Sequence, residues 1–122
     1  MSKLQSYRDL EVWQKSIDWA EQIYLVSSAF PSAERFGLTS QLRRAAVSVP
    51  SNIAEGAART GTGEYLQFLS IASGSLAEAE TQLILAQRLK MLADDESARL
   101  LNLADEISRM LSGLKRSLQS RR

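Results

Sequence analysis

Apolar residues return every three or four positions through most of this chain, and four stretches carry the pattern. In the first, residues 9–28, Leu10, Trp13, Ile17, Ala20 and Tyr24 fall on one face of a helix. A second stripe, Val12, Ser16, Trp19, Ile23 and Val26, lies one position away, about 100° round the axis. Glu11, Gln14, Asp18 and Gln22 hold the remaining side. One apolar stripe is enough to seat a helix in a small bundle, so the second predicts a further partner. Val12, Trp19, Ile23 and Val26 are the expected contacts to another subunit; the alternative is a wide stripe that seals a small core.

Residues 27–32, SSAFPS, break the period and read as a connection. The second helix begins at Ala33 or Leu38 and runs to Ala58, with Pro50 inside it. Proline removes one backbone donor there and crowds the carbonyl of Ala46, so two short helices are one outcome. Both faces nevertheless keep their period across it. Leu42, Ala45, Val49 and Ile53 point one way; Gln41, Arg44, Ser48, Ser51, Glu55 and Arg59 line another. That continuity predicts one helix kinked at Pro50, with Ser48 and Ser51 bonding the loosened backbone groups.

The third helix follows TGTG, with Thr62 as its expected N-cap and a seam of Leu69, Ala72, Leu76, Ala79, Leu83 and Ala86. Residues 65–77 hold no charge, which predicts the most enclosed helix. Ser70, Gly74 and Ala77 would admit a neighbouring backbone closely. The fourth helix opens on Asp94-Asp95-Glu96, the acids its dipole favours. Leu100, Ala104, Ile107, Leu111, Leu114 and Leu118 follow, with Lys115, Arg116, Arg121 and Arg122 near its end. No strand pattern competes. The expectation is an all-α fold over residues 1–122: a single domain, an antiparallel up-down-up-down four-helix bundle.

Chemistry enters mainly by exclusion. The chain has neither histidine nor cysteine, which removes imidazole acid–base catalysis, thiol nucleophiles, disulfides and the usual zinc ligands. No cluster of acids has a spacing suited to a metal, and no cofactor is implied. No apolar run reaches membrane-spanning length, so a soluble, cytoplasmic protein without a membrane partner is expected. A net charge of +1 rules out global attraction to nucleic acid; any basic footprint must be local. Arg43 and Arg44 are the first candidates for one. The bland alternative for the pair is a solvated or salt-bridged surface, and a subunit contact is the third. Glu55 and Arg59 form an i, i+4 pair that offsets part of its own charge. Asn52, beside Ile53, is a candidate for fixing register between neighbouring subunits.

Three segments, YRDLEVWQKSIDWAEQIY (7–24), FPSAERFGLTSQLRRAAVSVPSNIAEGAAR (30–59) and EYLQFLSIASGSLAEAETQL (64–83), closely resemble one bacterial family. It comprises the four-helix-bundle proteins encoded in intervening sequences of 23S ribosomal RNA genes. These are related to the accessory variability protein of diversity-generating retroelements, which works with a reverse transcriptase. The resemblance implies a ring-like homopentamer without catalysis and with a nucleic-acid-binding role. RNA or DNA, a reverse transcriptase or another protein are then the expected partners. The accessory relatives are strongly basic, whereas this chain is nearly neutral. A ring that repeats each cationic patch would compensate through avidity. Arg43, Arg44, Arg59, Lys115 and Arg116 are the expected nucleic-acid contacts. Helical RNA-cleaving toxins resemble an arginine–histidine pattern that a chain without histidine cannot supply.

Overall fold

Ser6 begins the described structure, and it does so with a capping box. Its hydroxyl accepts from the Arg8 amide at 2.9 Å, while the Asp9 carboxylate accepts from the Ser6 amide at 3.2 Å. A single 3-10 turn, Tyr7–Asp9, results, and Tyr7 packs edge-on against Trp13 with ring centroids 5.3 Å apart. Helix α1 (Glu11–Ser27) follows directly, then α2 (Leu38–Ala57), α3 (Thr62–Arg88) and α4 (Asp94–Gln119). The computed structural model describes residues 6–121; residues 1–5 and Arg122 lie outside it. All described regular structure is helical. Each helix packs on its neighbour in sequence, α1 also packs on α4, and α2 with α3 forms the most extensive pair.

The faces of α1 are assigned the other way round from the sequence expectation. Val12, Trp19 and Ile23 are 4%, 0% and 0% exposed, inside the chain's own core. They present nothing to a second subunit. The Trp19 indole fixes this choice: its N–H donates to the Leu100 carbonyl on α4 at 3.1 Å, which satisfies the ring's one polar atom inside the core. The surface stripe is instead Ile17 and Tyr24, 40% and 43% exposed, beside half-buried Trp13. Val26 is half-buried and packs against the core. Lys15 pairs with Glu106 at 2.7 Å across the same α1–α4 seam.

Helix α2 continues through Pro50 as one element, with the proline buried. Ser48 does not turn back to the backbone there; its hydroxyl meets that of Ser75 on α3 at 2.8 Å. Asn52 donates to both the carbonyl and the hydroxyl of Ser48, at 2.7 and 2.9 Å. Asn52 is thus bonded one turn back along its own helix, and it is the Ser48 hydroxyl that links α2 to α3. Further along, Gly56 lets the two helices touch. A Cβ there would lie 2.8 Å from the Phe68 Cβ and 3.0 Å from the Tyr65 ring.

The seam of α3 is buried as its heptad predicts, from Leu69 to Ala86. Its alternation of leucine with alanine suits a close neighbour. The uncharged stretch is not enclosed, however. Gln67, Ser70, Ile71 and Ala77 are exposed, and a Cβ on Gly74 would meet nothing within 4 Å. Absence of charge marked low polarity there, not burial. Thr62 also is not the cap: Gly61 occupies that position without a side-chain bond, and Thr62 is the first helical residue. At its other end α3 closes with a Schellman motif, Met91 N–H to the Ala86 carbonyl and Lys90 N–H to that of Gln87. Lys90 takes the left-handed conformation, φ 65°, that the motif requires.

Candidate nucleic-acid interface

Between α1 and α2 the chain turns on buried Phe30, passes Pro31 and makes one 3-10 turn, Ser32–Glu34. The Glu34 carboxylate then accepts from the Leu38 amide at 3.1 Å. It caps α2 from outside, because Gly37 has no side chain to do so. With Glu34 turned to the helix, Arg35 and Phe36 are left on the surface. The Arg35 guanidinium lies over the Phe36 ring, 5.2 Å from its centroid, and Phe36 is 87% exposed.

One turn into α2, Arg43 reaches back to α1. Its Nε donates to the Ser27 hydroxyl at 2.8 Å, its Nη2 donates to the Tyr24 carbonyl at 3.1 Å, and the group sits 4.6 Å from the Tyr24 ring centroid. A cation at this position suits the carbonyl end of α1. Tyr24 is thus a surface ring under an arginine rather than the core residue its stripe suggested. Arg44 is exposed, and no carboxylate within the described residues pairs with it. Arg35, Arg43 and Arg44 together with Tyr24, Phe36, Thr39 and Ser40 line a cleft of about 330 Å³ that contains no acidic side chain. Thr39 is buried, and its hydroxyl has no hydrogen-bond partner. On its other side Arg44 borders a cleft of about 410 Å³ shared with Ser48, Ser75 and Glu78.

The remaining sequence candidates do not join this group. Arg59 lies fifteen residues on from Arg44, about 22 Å along an ideal helix axis. It pairs with Glu55 at 3.0 Å and covers Phe68, 4.9 Å from the ring centroid. Lys115 donates to the Ser73 hydroxyl on α3 at 2.7 Å. Arg116 is exposed on α4 and lines neither cleft beside Arg44. Sequence reasoning missed Arg35, Phe36 and Thr39. The signal available was an Arg-Phe-Gly run just before the helix, an aromatic residue outside any periodic stripe.

Within the described residues no group of three or more acidic side chains could hold a metal ion, and no helix is long and apolar enough to cross a membrane. No curated protein matches the chain. Among solved structures, it is similar to a protein of unknown function from the S23 ribosomal protein family of Bacteroides thetaiotaomicron VPI-5482. The two share 23% identity at a TM-score of 0.80, over 85% of this chain and 97% of the other, a likeness of fold. The family model for the 23S rRNA-intervening sequence protein matches residues 8–113. Because that match takes in most of all four helices, the chain belongs to the 23S rRNA-intervening sequence protein family.

Proposed function

We propose that this protein is a non-enzymatic, cytoplasmic homo-oligomer that binds nucleic acid, structured RNA first, through the arginines at the head of α2. One observation carries the reading: Arg35, Arg43 and Arg44 border a single cleft without a carboxylate in its lining. Net charge is a poor guide here, because the acids that balance the sum lie elsewhere, Glu55 on Arg59 and Asp105 on Arg109 among them. Phosphates respond to the local excess.

A single patch would bind weakly, so the proposal includes assembly, five subunits being the number the resemblance implies. The surface offered for it is the outer stripe of α1. Trp13, Ile17 and Ala20 with Val47, Pro50 and Ala54 of α2 line an apolar groove of about 260 Å³. Repeating the arginine cluster round a ring would raise the affinity for a long strand by about a hundredfold through avidity. A second reading, an interaction scaffold with a protein partner, is favoured by a different observation: Ile71, Ile84 and Leu85 of α3, and Leu89 just beyond it, are exposed.

The test is binding of the purified protein to fluorescent RNA and DNA across about 50 to 300 mM salt, with light scattering on the same sample. Binding should fall steeply with salt while the oligomer stays intact, and Arg44→Gln should weaken it and flatten its salt dependence. An intact oligomer that binds neither nucleic acid at the lowest salt would leave the scaffold reading in its place.

A further inference from the structure

Phe36 is the most exposed large apolar side chain among the described residues. Water is an unfavourable place for a phenyl ring, and the core does not use it. Arg35 covers one face, which leaves the other free for a second planar group. Three residues on, the Thr39 hydroxyl is buried without a partner, and Thr39 lines both clefts that meet at Arg35 and Arg43. A buried hydroxyl without a protein partner is open to a bound group that can complete its hydrogen bond. It stands in the first turn of a twenty-residue helix, where the dipole favours an anion, and the free Arg44 is on the same cleft.

We infer that this cleft takes one unpaired nucleotide of a nucleic-acid strand: a phosphate oxygen accepts from Arg44 and, once the Thr39 side chain turns about its Cα–Cβ bond toward the cleft, from its hydroxyl, and the base stacks on the open face of Phe36. The inference deepens the reading above and rests on it. It also specifies the substrate. Bases inside a duplex have both faces occupied, whereas loops, bulges and single-stranded ends can offer theirs to a ring. Phosphate contacts at Arg44 would serve duplex and single strand alike. Phe36 would serve only the unpaired one.

The experiment uses the full chain, wild type and variants, with two labelled probes: an unstructured uridine strand of about twelve nucleotides and a blunt RNA duplex of the same length. Phe36→Ala should weaken binding of the strand about tenfold or more and leave the duplex within about twofold. Thr39→Val, which keeps the shape and removes the hydroxyl, should also weaken the strand. Because Phe36 is on the surface, its variant should keep the wild-type melting curve and mass. If Phe36→Ala leaves the strand unaffected while Arg44→Gln weakens both probes, the nucleotide inference fails and phosphate binding stands. Equal loss on both probes, or a fall in mass by light scattering, would make Phe36 a structural or subunit contact and overturn the inference. Failure of the wild type to bind either probe would overturn both.

Discussion

Helix α2 is flanked at each end by an arginine against an aromatic ring, yet its two ends are built for different things. At the C-terminal end Arg59 has Glu55 one turn back and Phe68 beneath it, and Gly56 draws α3 into contact. The charge there is offset by a neighbour, although the pair stays on the surface. At the N-terminal end Glu34 has turned to cap the helix, and Arg35, Arg43 and Arg44 face a cleft without an acid. The lesson is that an arginine's availability depends on the groups the fold brings to it, from the next turn for Arg59 and from another helix for Arg43. Counting basic residues along the sequence does not reveal this.

The sharpest way to break the contrast is at Gly56. Gly56→Ala gains helix propensity worth about 1 kcal/mol. Its methyl group, however, meets the Phe68 Cβ at 2.8 Å and the backbone-anchored Tyr65 ring at 3.0 Å, neither of which is a flexible chain end. Overpacking should dominate, with a net loss of about 1–3 kcal/mol and a lower Tm, while nucleic-acid affinity of the folded protein stays unchanged. A variant as stable as wild type would show that the α2–α3 contact relaxes freely.

The next effect separates two adjacent arginines. Arg43→Gln removes two hydrogen bonds to the end of α1 and should destabilise by about 1 kcal/mol in a denaturant melt. Arg44→Gln should stay within about 0.5 kcal/mol of wild type. On binding, the order reverses, with Arg44→Gln the more damaging. Equal stability losses would mean that Arg44 has a structural partner in the assembled protein.

A smaller change would convert the closed end toward the open one. Glu55→Gln forfeits a surface pair worth about 0.3–0.5 kcal/mol and releases Arg59. Affinity for RNA should rise, and the salt slope should steepen by up to about 0.7–0.9 per subunit, the equivalent of one phosphate. An unchanged slope would show that Phe68 still holds the guanidinium, or that a bound strand does not extend to this end.

The smallest effect is a control away from both ends. Burial, and then the nearby Asp105 carboxylate, raise the Glu80 carboxyl above its ordinary value of 4.5. The folded state therefore holds that proton more readily than the unfolded chain does. Its contribution to stability is fully favourable below the ordinary value and declines as pH rises through the raised one. Glu80→Gln should add a few tenths of a kcal/mol at neutral pH, since the site is partly solvated, and nothing in strong acid. A variant that is less stable at neutral pH would show that burial and the Asp105 charge do not disfavour the ionised carboxylate.

Much of the fold could be read directly. The seam of α3 and most of that of α4 are buried at the residues their spacing selects. Helix α1 was harder. Its two stripes are equally apolar and one position apart, and periodicity gives no rule for choosing between them. The Trp19 indole settled it by finding a carbonyl on α4, eighty-one residues away. The candidate site was legible only at Arg43 and Arg44. Arg35 and Phe36 lie in a connection, where no period operates, and their exposure follows from Glu34 turning to the helix.

The sequence by itself determined how many helices form, close to where they begin and end, and the exclusion of histidine and cysteine chemistry, because these depend on local spacing and residue type. Tertiary structure alone decided which stripe of α1 faces inward, which arginines are engaged, and that the open cleft lies at the head of α2. Those outcomes depend on contacts between residues far apart in the chain. A charge neutralised by a distant neighbour looks the same in sequence as one that is free.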